Sequence, residues 1–322
     1  MSMFKYILKR LGLLVVTFII SSTISFVMIR LLIPETGPML GSQAMLEAVR
    51  REALGYNKPI MSQLWTYARN IVTNWDFGTS WNINYMTPVT EIISTRLPST
   101  IILNVYSIVL SIPLGILLGI WAAIKKNKPT DHIISTSVMI FISVPSFVFA
   151  FFMQYTLAFR LGIFPVMASS LFDAGGSWFS WTMTRSLILP VLALSFGSIA
   201  GFARSTRAEL TEALTSDYML LARSKGLTRA SAISRHAMRN AMVPILPGIV
   251  ATFLGVLGGS LIIETIFGVN GIGPLFLRAF TTLDYDVFIG VSMFYFAIGL
   301  VTAIVVDLSY GFIDPRIRMG ER

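Results

Sequence analysis

Side chains able to do covalent chemistry are scarce in this chain of 322 residues. It has no cysteine, which excludes disulfides, thiolate nucleophiles and thiolate metal ligands. Its two histidines, His132 and His236, are too few for a histidine-rich metal site. No Gly-x4-Gly-Lys-Ser/Thr loop occurs, so the chain is not expected to cradle nucleotide phosphates. His-Glu-x-x-His is also missing. Both histidines fall in or beside polar segments, which leaves a serine within an apolar run without a base. No catalytic residue, resident metal or cofactor is therefore expected in this chain.

The next candidates are polar groups inside long apolar runs, where ionisable side chains are costly and often functional. Glu264 and Asp307 stand near the ends of two such runs. Each is either a local cap or ion-pair partner, or part of a solute path. Arg30 and Arg160 are also near run ends and are expected to snorkel. Gln154 either lines a path or hydrogen-bonds a neighbouring helix. Pro113, Pro145 and Pro190 fall inside runs, and Gly255, Gly258 and Gly259 cluster in another. Proline frees a backbone carbonyl, and glycine allows either close packing or a gate. Gln154, Gly255, Gly258, Gly259 and Glu264 are the candidates for a pore or gate.

The polar segment 204–243 is the most informative. Arg204-Ser205-Thr206-Arg207 continues a preceding apolar helix, and Leu210, Ala213 and Leu214 keep helical spacing. Thr215 or Ser216 can cap a short helix with Asp217 in its first turn. Gly226 stands where a glycine would end it, after Arg223 and Lys225. Thr228 can cap a third helix running to about Met242. The short helix places Tyr218, Met219, Leu221 and Ala222 outside a core, rimmed by charge. Such a surface either packs on the end of a bundle or awaits a partner.

These residues must be held by elements that the composition already restricts. Hydrophobic residues make up 54% of the chain and charged ones 13%, against about a quarter charged in soluble domains. Six apolar runs, 11–33, 100–124, 133–159, 186–203, 244–267 and 287–312, can cross the roughly 30 Å of hydrocarbon. Unbroken runs favour helices over barrel strands. The first run is too long for a signal-peptide core and is expected to be retained. The net charge of +9 is concentrated between the runs. Lys5, Lys9, Arg10, Lys125, Lys126, Lys128, Arg204, Arg207, Arg223, Lys225, Arg229, Arg235, Arg239, Arg316, Arg318 and Arg322 all fall on one side. The positive-inside rule makes that side, with both termini, cytoplasmic. On the other side, segment 34–99 carries Arg50, Arg51, Lys58, Arg69 and Arg96 against Glu35, Glu47, Glu52, Asp76 and Glu91. Within it, 45–54 and 60–72 read as amphipathic helices, and Trp65, Trp75 and Trp81 suit a membrane interface. The organisation expected is a first span (1–33), an outer loop (34–99), a core of five spans with its inner loop (100–312), and a tail (313–322).

Ala222-Arg223-Ser224-Lys225-Gly226, followed by Arg235-His236-Ala237-Met238-Arg239-Asn240-Ala241-Met242-Val243-Pro244, resembles the cytoplasmic loop of binding-protein-dependent ABC importer permeases. The B-type subunit of the oligopeptide/dipeptide/nickel subfamily is most similar. Leu54-Gly55 with Lys58-Pro59, Gly78-Thr79-Ser80 and Arg96-Leu97-Pro98-Ser99-Thr100 agree with it. So do Glu264-Thr265-Ile266-Phe267, Gly271-Ile272-Gly273, Asp284-Tyr285 and Asp314-Pro315-Arg316-Ile317-Arg318. Two places depart from the pattern. Leu220-Leu221-Ala222 stands where the wider class has Glu-Ala-Ala, so no acidic contact is expected there. Asn270-Gly271 replaces Pro-Gly.

The resemblance implies an all-α membrane protein with the type I importer permease fold, in a bacterial or archaeal cell membrane. It implies that Asp217, Tyr218, Met219, Leu221, Ala222, Arg223, Lys225 and Gly226 form a coupling helix docked on a cytoplasmic ATPase. The implied partners are a second homologous permease, two ATP-binding-cassette subunits that hold ATP and magnesium, and an extracytoplasmic solute-binding protein. An oligopeptide or dipeptide is the implied solute, with nickel or another small solute as the alternative. A stand-alone secondary transporter would need a midplane acid or broken-helix ion site, which the sequence does not offer. An intramembrane hydrolase would need catalytic residues that it lacks.

Overall fold

A computed structural model describes residues 3–31, 45, 48, 49, 52, 55 and 57–313. Positions 32–33, most of the expected 45–54 helix, Glu35, Glu47, Arg50 and Arg51, and tail residues 314–322 lie outside the described residues. The described elements begin with α1 (Met3–Leu31), α2 (Ile60–Asn74), a short antiparallel pair β1 (Thr79–Ser80) and β2 (Thr87–Pro88), and α3 (Val89–Ile124). Next come α4 (Pro129–Ser143) and α5 (Ser146–Met153), which continues as a π-helical stretch over Gln154–Arg160, then α6 (Trp181–Leu214) and α7 (Asp217–Ser224). The described elements end with α8 (Arg229–Met242), α9 (Leu246–Leu254) running into a 3-10 turn at Gly255–Gly258, α10 (Leu261–Ile266), α11 (Ile272–Thr281) and α12 (Tyr285–Ile313).

Within α1, α3, α6 and α12 lie helices long and apolar enough to cross a membrane. The other two expected spans are not single helices. Helices α4 and α5 with its π-helical extension meet at 96°, and the fifth run is divided into α9, its 3-10 turn and α10, with α8 of the preceding loop meeting α9 at 55°. The third run breaks at Val144-Pro145, where Val144 is extended (φ −93°, ψ 125°). Proline has no N–H to give back to the helix and disfavours helical backbone in the residue before it. The fifth run breaks at Gly259, with φ +63° and ψ −173°, a conformation only glycine adopts readily. Pro113 and Pro190, by contrast, stay inside continuous helices.

The chain forms two compact units, Met1–Leu97 with Pro274–Leu300, and Pro98–Gly273 with Val301–Arg322. In the first, Phe26 and Ile29 of α1 and Tyr285, Ile289 and Met293 of α12 form a buried cluster, with Leu64, Tyr67 and Ile71 of α2 packed against it. In the second, Leu103, Met153, Leu187, Leu189, Ile263 and Phe267 are buried together. Gly115 and Gly119 form a Gly-x3-Gly pair on α3 that lets it approach α6 at backbone distance. A β-carbon on Gly115 would stand 2.8 Å from the Ile199 carbonyl oxygen, and one on Gly119 2.7 Å from that of Ala203. With lipid as solvent, such close packing rather than water exclusion holds helices together.

Candidate functional site

The segment expected to carry the mechanism folds as the end of α6, the short α7 and α8. Helix α6 runs past Ala203 without interruption, and Thr206, Leu210 and Ala213 continue its buried stripe. Ser216 stands at the N-cap of α7, yet its hydroxyl donates to the Ala213 carbonyl (2.6 Å) rather than capping α7. At the other end, the Gly226 N–H reaches the Arg223 carbonyl (3.0 Å) and the Leu227 N–H the Ala222 carbonyl (3.3 Å). That is a Schellman closure, with Gly226 at φ +86°. Thr228 accepts from the Ser231 N–H and starts α8, as its position predicted. A π-helical turn at Ile233–Ala237 lies inside α8.

Burial divides the eight residues expected to form the coupling helix into two faces. Met219 and Ala222 point inward, against Leu210, Ala213, Ala232, Ile233 and Ala237. They fix α7 to its own loop and have no surface left for a partner. Asp217, Tyr218, Leu221, Arg223, Lys225 and Gly226 remain exposed. Leu220, which the sequence pattern did not single out, is 64% exposed beside Leu221 at 56%. A short helix thus presents Tyr218, Leu220 and Leu221 to solvent, with Arg223 and Lys225 alongside.

A bidentate ion pair braces this projection. Both Nε and Nη2 of Arg207 reach the Asp131 carboxylate, the latter at 2.8 Å from Oδ2. The same carboxylate accepts the Asn127 N–H (2.9 Å) and the Ser135 hydroxyl (3.2 Å). Asp131 is 1% exposed in its side chain, so α4 and the end of α6 are tied by a fully satisfied group. Arg207 counted only as one more positive charge, and nothing local marked Asp131, 76 residues earlier, as its partner.

The five pore candidates separate by geometry. The Gln154 amide donates to the carbonyls of Val166 (2.9 Å) and Ile266 (2.8 Å), so it holds neighbouring backbone. Glu264 is fully buried. Its carboxylate accepts the N–H groups of Ser260 (3.2 Å) and Gly273 (3.0 Å), and the Thr100 hydroxyl hydrogen-bonds to it. Ser260 in turn accepts from the Ile263 N–H, so the start of α10 is capped reciprocally. A β-carbon on Gly259 would stand 2.9 Å from the Thr100 methyl, and one on Gly273 3.0 Å from the Glu264 carboxylate. Nothing lies within 4 Å of a β-carbon on Gly255 or Gly258. Those two glycines border open space, whereas Gly259 serves close packing. Asp307 is half-buried in α12, and the Arg160 guanidinium lies 5.9 Å from the Tyr155 ring centre.

A second carboxylate node organises the unit that contains α2. Asp284 Oδ2 accepts the Ser80 hydroxyl (2.6 Å) and the N–H groups of Trp81 (3.1 Å), Asn82 (2.9 Å) and Ile83 (3.0 Å). One oxygen thereby folds the turn after β1. Gly78 approaches Asp286 so closely that a β-carbon would stand 2.9 Å from its carboxyl carbon. Gly78-Thr79-Ser80 and Asp284-Tyr285, about 200 residues apart, are thus parts of one joint. Removing the acceptor strands three N–H groups and a hydroxyl, at roughly 1–3 kcal/mol for each group left buried and unpaired. Asp284→Ala is expected to shorten the half-life of the detergent-solubilised protein at 37 °C several-fold, as read by size-exclusion recovery. Asp284→Asn, which retains one acceptor oxygen, should fall between it and the parent.

This is a polytopic helical membrane protein whose helical loop stands beyond its spans. The description "Binding-protein-dependent transport system inner membrane component" matches residues 115–319. The companion N-terminal region of such components matches residues 3–104. Over 319 residues the chain is 35% identical to the dipeptide transport system permease protein DppB of Lactococcus lactis, covering 98% of this chain and all of that one. It is 33% identical, over the same shares, to the oligopeptide transport system permease protein OppB of Salmonella typhimurium. Among solved structures, a chain of an amino acid ABC transporter crystallised with histidines superposes with a TM-score of 0.51 at 22% identity. The match covers 69% of this chain and 94% of that one. A chain of the inward-facing MetNI methionine ABC transporter gives 0.51 at 13% identity, covering 68% and 97%. The chain belongs to the binding-protein-dependent transport system inner membrane components, and it has the helical fold of ABC importer permeases. It is a permease subunit, not an enzyme; ATP hydrolysis belongs to separate subunits of such transporters.

Proposed function

We propose that this chain forms half of the translocation path of an ATP-driven peptide importer. Full-length identity with dipeptide and oligopeptide permeases supports the solute class. The observation that carries the coupling role is the two-faced α7, pinned inward by Met219 and Ala222 and open outward at Tyr218, Leu220 and Leu221. A helix held by its own loop moves as a rigid body when a partner pushes its free face. That partner is a cytoplasmic ATPase subunit, which places the α7 loop and both chain termini in the cytoplasm. ATP and magnesium stay in two such subunits. A second homologous permease completes the path, and a solute-binding protein delivers the peptide from the other side.

The test is uptake into proteoliposomes holding both permeases, both ATPases and the binding protein. Labelled di- and oligopeptide should accumulate only with ATP, and excess unlabelled peptide should compete. Accumulation driven by an ion gradient without ATP would refute the reading. Competition by nickel and not by peptide would move the solute to the other branch of the subfamily.

A further inference from the structure

In the unit built from residues 1–97 and 274–300, α2 carries more apolar surface than that unit covers. Its packed face is Leu64, Tyr67 and Ile71, set against α1 and α12, with the Phe26 and Tyr67 ring centres 5.3 Å apart. Immediately around the helix, Met61, Trp65, Ala68 and Val72 form a second stripe at i, i+4, i+7 and i+11, and Trp75 follows at its C-cap. At 3.6 residues per turn these positions share an arc of about 80° adjoining the packed face. The stripe is bare: Met61 is 67% exposed, Trp65 73%, Val72 85% and Trp75 73%. Ser62, Thr66, Arg69 and Thr73 occupy the opposite side, and Arg69 is the only ionised residue in the helix.

Two observations say what covers the stripe. The first is depth. Helix α2 packs on Phe26 and Ile29, in the last turns of α1, and on Tyr285 and Ile289, in the first turns of α12. The buried Arg30–Asp286 pair (3.3 Å) closes both apolar runs at the same level. Arg30 thus pairs inside the protein and does not snorkel, and because ionisable side chains are costliest at mid-bilayer, such a pair fits a level near a membrane surface. The second is continuity. Leu13, Val16, Ile20, Ile24 and Met28 of α1 are each more than half exposed on a helix apolar enough to cross a membrane. A bare apolar wall of that kind suits lipid, and α2 packs at its end. Indoles favour this zone because they join an apolar ring to a polar N–H.

We infer that α2 is an interfacial helix whose Met61–Trp65–Ala68–Val72 stripe, with Trp75, is seated in lipid at one membrane surface. The protein then grips the bilayer at its edge as well as through its spans. Trp81 is not part of this grip. It lies in the turn held by Asp284, with its ring 5.6 Å from that of Tyr85. The inference does not depend on which solute is carried.

The lack of cysteine makes the test direct. Trp65→Cys and Val72→Cys place thiols on the stripe, and Thr66→Cys and Thr73→Cys place them on the polar side. Each variant is assembled with its partner subunits in phosphatidylcholine nanodiscs. A membrane-impermeant maleimide is applied, and labelling is read on this chain's gel band. The stripe thiols should react on the order of tenfold more slowly than the polar-side thiols. A bimane attached at position 65 or 72 should be quenched by nitroxide on lipid acyl carbon 5 and not by aqueous nitroxide. Equal labelling on both faces would overturn the inference by showing water. Protection without lipid quenching would overturn it by showing a protein cover: residues 32–56, the second permease, or, if removing it restores labelling, the binding protein. Should Trp65→Cys not accumulate, Met61→Cys and Ala68→Cys read the same face.

Discussion

Tyr218→Ala combined with Leu221→Ala is expected to reduce ATP-dependent uptake by at least tenfold while leaving the subunit in the membrane. Both side chains face solvent, so truncation should cost the fold little. Each is of the size and chemistry that anchors a protein interface, where removal of one buried aromatic or aliphatic anchor costs roughly 1–3 kcal/mol. Two such losses on one small helix correspond to at least about tenfold in docking. The decisive measurement is the ratio of peptide imported to ATP hydrolysed in proteoliposomes. Hydrolysis should persist at its basal level and no longer respond to the loaded binding protein. Uptake and stimulation equal to those of the parent would remove α7 from the coupling path. Met219→Ala provides the contrast. Met219 packs against its own loop, so its loss is expected to lower thermal stability before it alters the ratio.

Glu264→Ala is expected to prevent accumulation of the protein. Nothing else described in the second unit offers its carboxylate's three partners an acceptor, and Gly259, Gly271 and Gly273, where any β-carbon would meet the carboxylate, leave room for it. Alanine would leave a polar cavity and three donors without an acceptor, a penalty of several kcal/mol by the usual measure of about 1–3 kcal/mol per unpaired group. Total stabilities are only about 5–15 kcal/mol. Glu264→Gln keeps the volume and one acceptor oxygen but turns an N–H2 toward existing donors, so it should accumulate at an intermediate level. Membrane yield by quantitative blotting orders the three as parent, Gln, Ala. If the Ala variant accumulated normally and lost only transport, Glu264 would belong to the solute path and not to the packing of α10.

What could be read in advance follows from the range of the interactions. The apolar runs that became α1, α3, α6 and α12 were legible because the length of an apolar helix is a local property. The caps at Thr228 and Gly226 were legible for the same reason, since each depends on a few neighbouring residues. Pro145 was visible, but its consequence was not. Pro113 and Pro190 sit in helices that continue, and only the packing around each proline decides between a continuous helix and a 96° turn. The inward aim of Met219 and Ala222 depends on Ala232, Ile233 and Ala237, which fold back from the next helix. The carboxylate nodes at Asp131 and Asp284 were the least accessible. Their partners lie 76 and about 200 residues away, and the spacing of one sequence does not reveal such pairings.

Helix α6 joins the membrane interior to the α7 loop without a break in its 34 residues. At 1.5 Å per residue it is about 50 Å long, against roughly 30 Å of hydrocarbon. Pro190 sits near its start, so some 24 residues beyond that weak point form one stiff rod. A rod crossing a fixed slab turns a push at its overhanging tip into an opposite swing at the buried end, with a pivot where its neighbours grip it hardest. The glycine contacts at Gly115 and Gly119 and the Arg207–Asp131 clamp sit in that overhang and just inside it. Under the proposed coupling role they act as its fulcrum, so the stroke would be set by where helices touch rather than by how far any one of them bends.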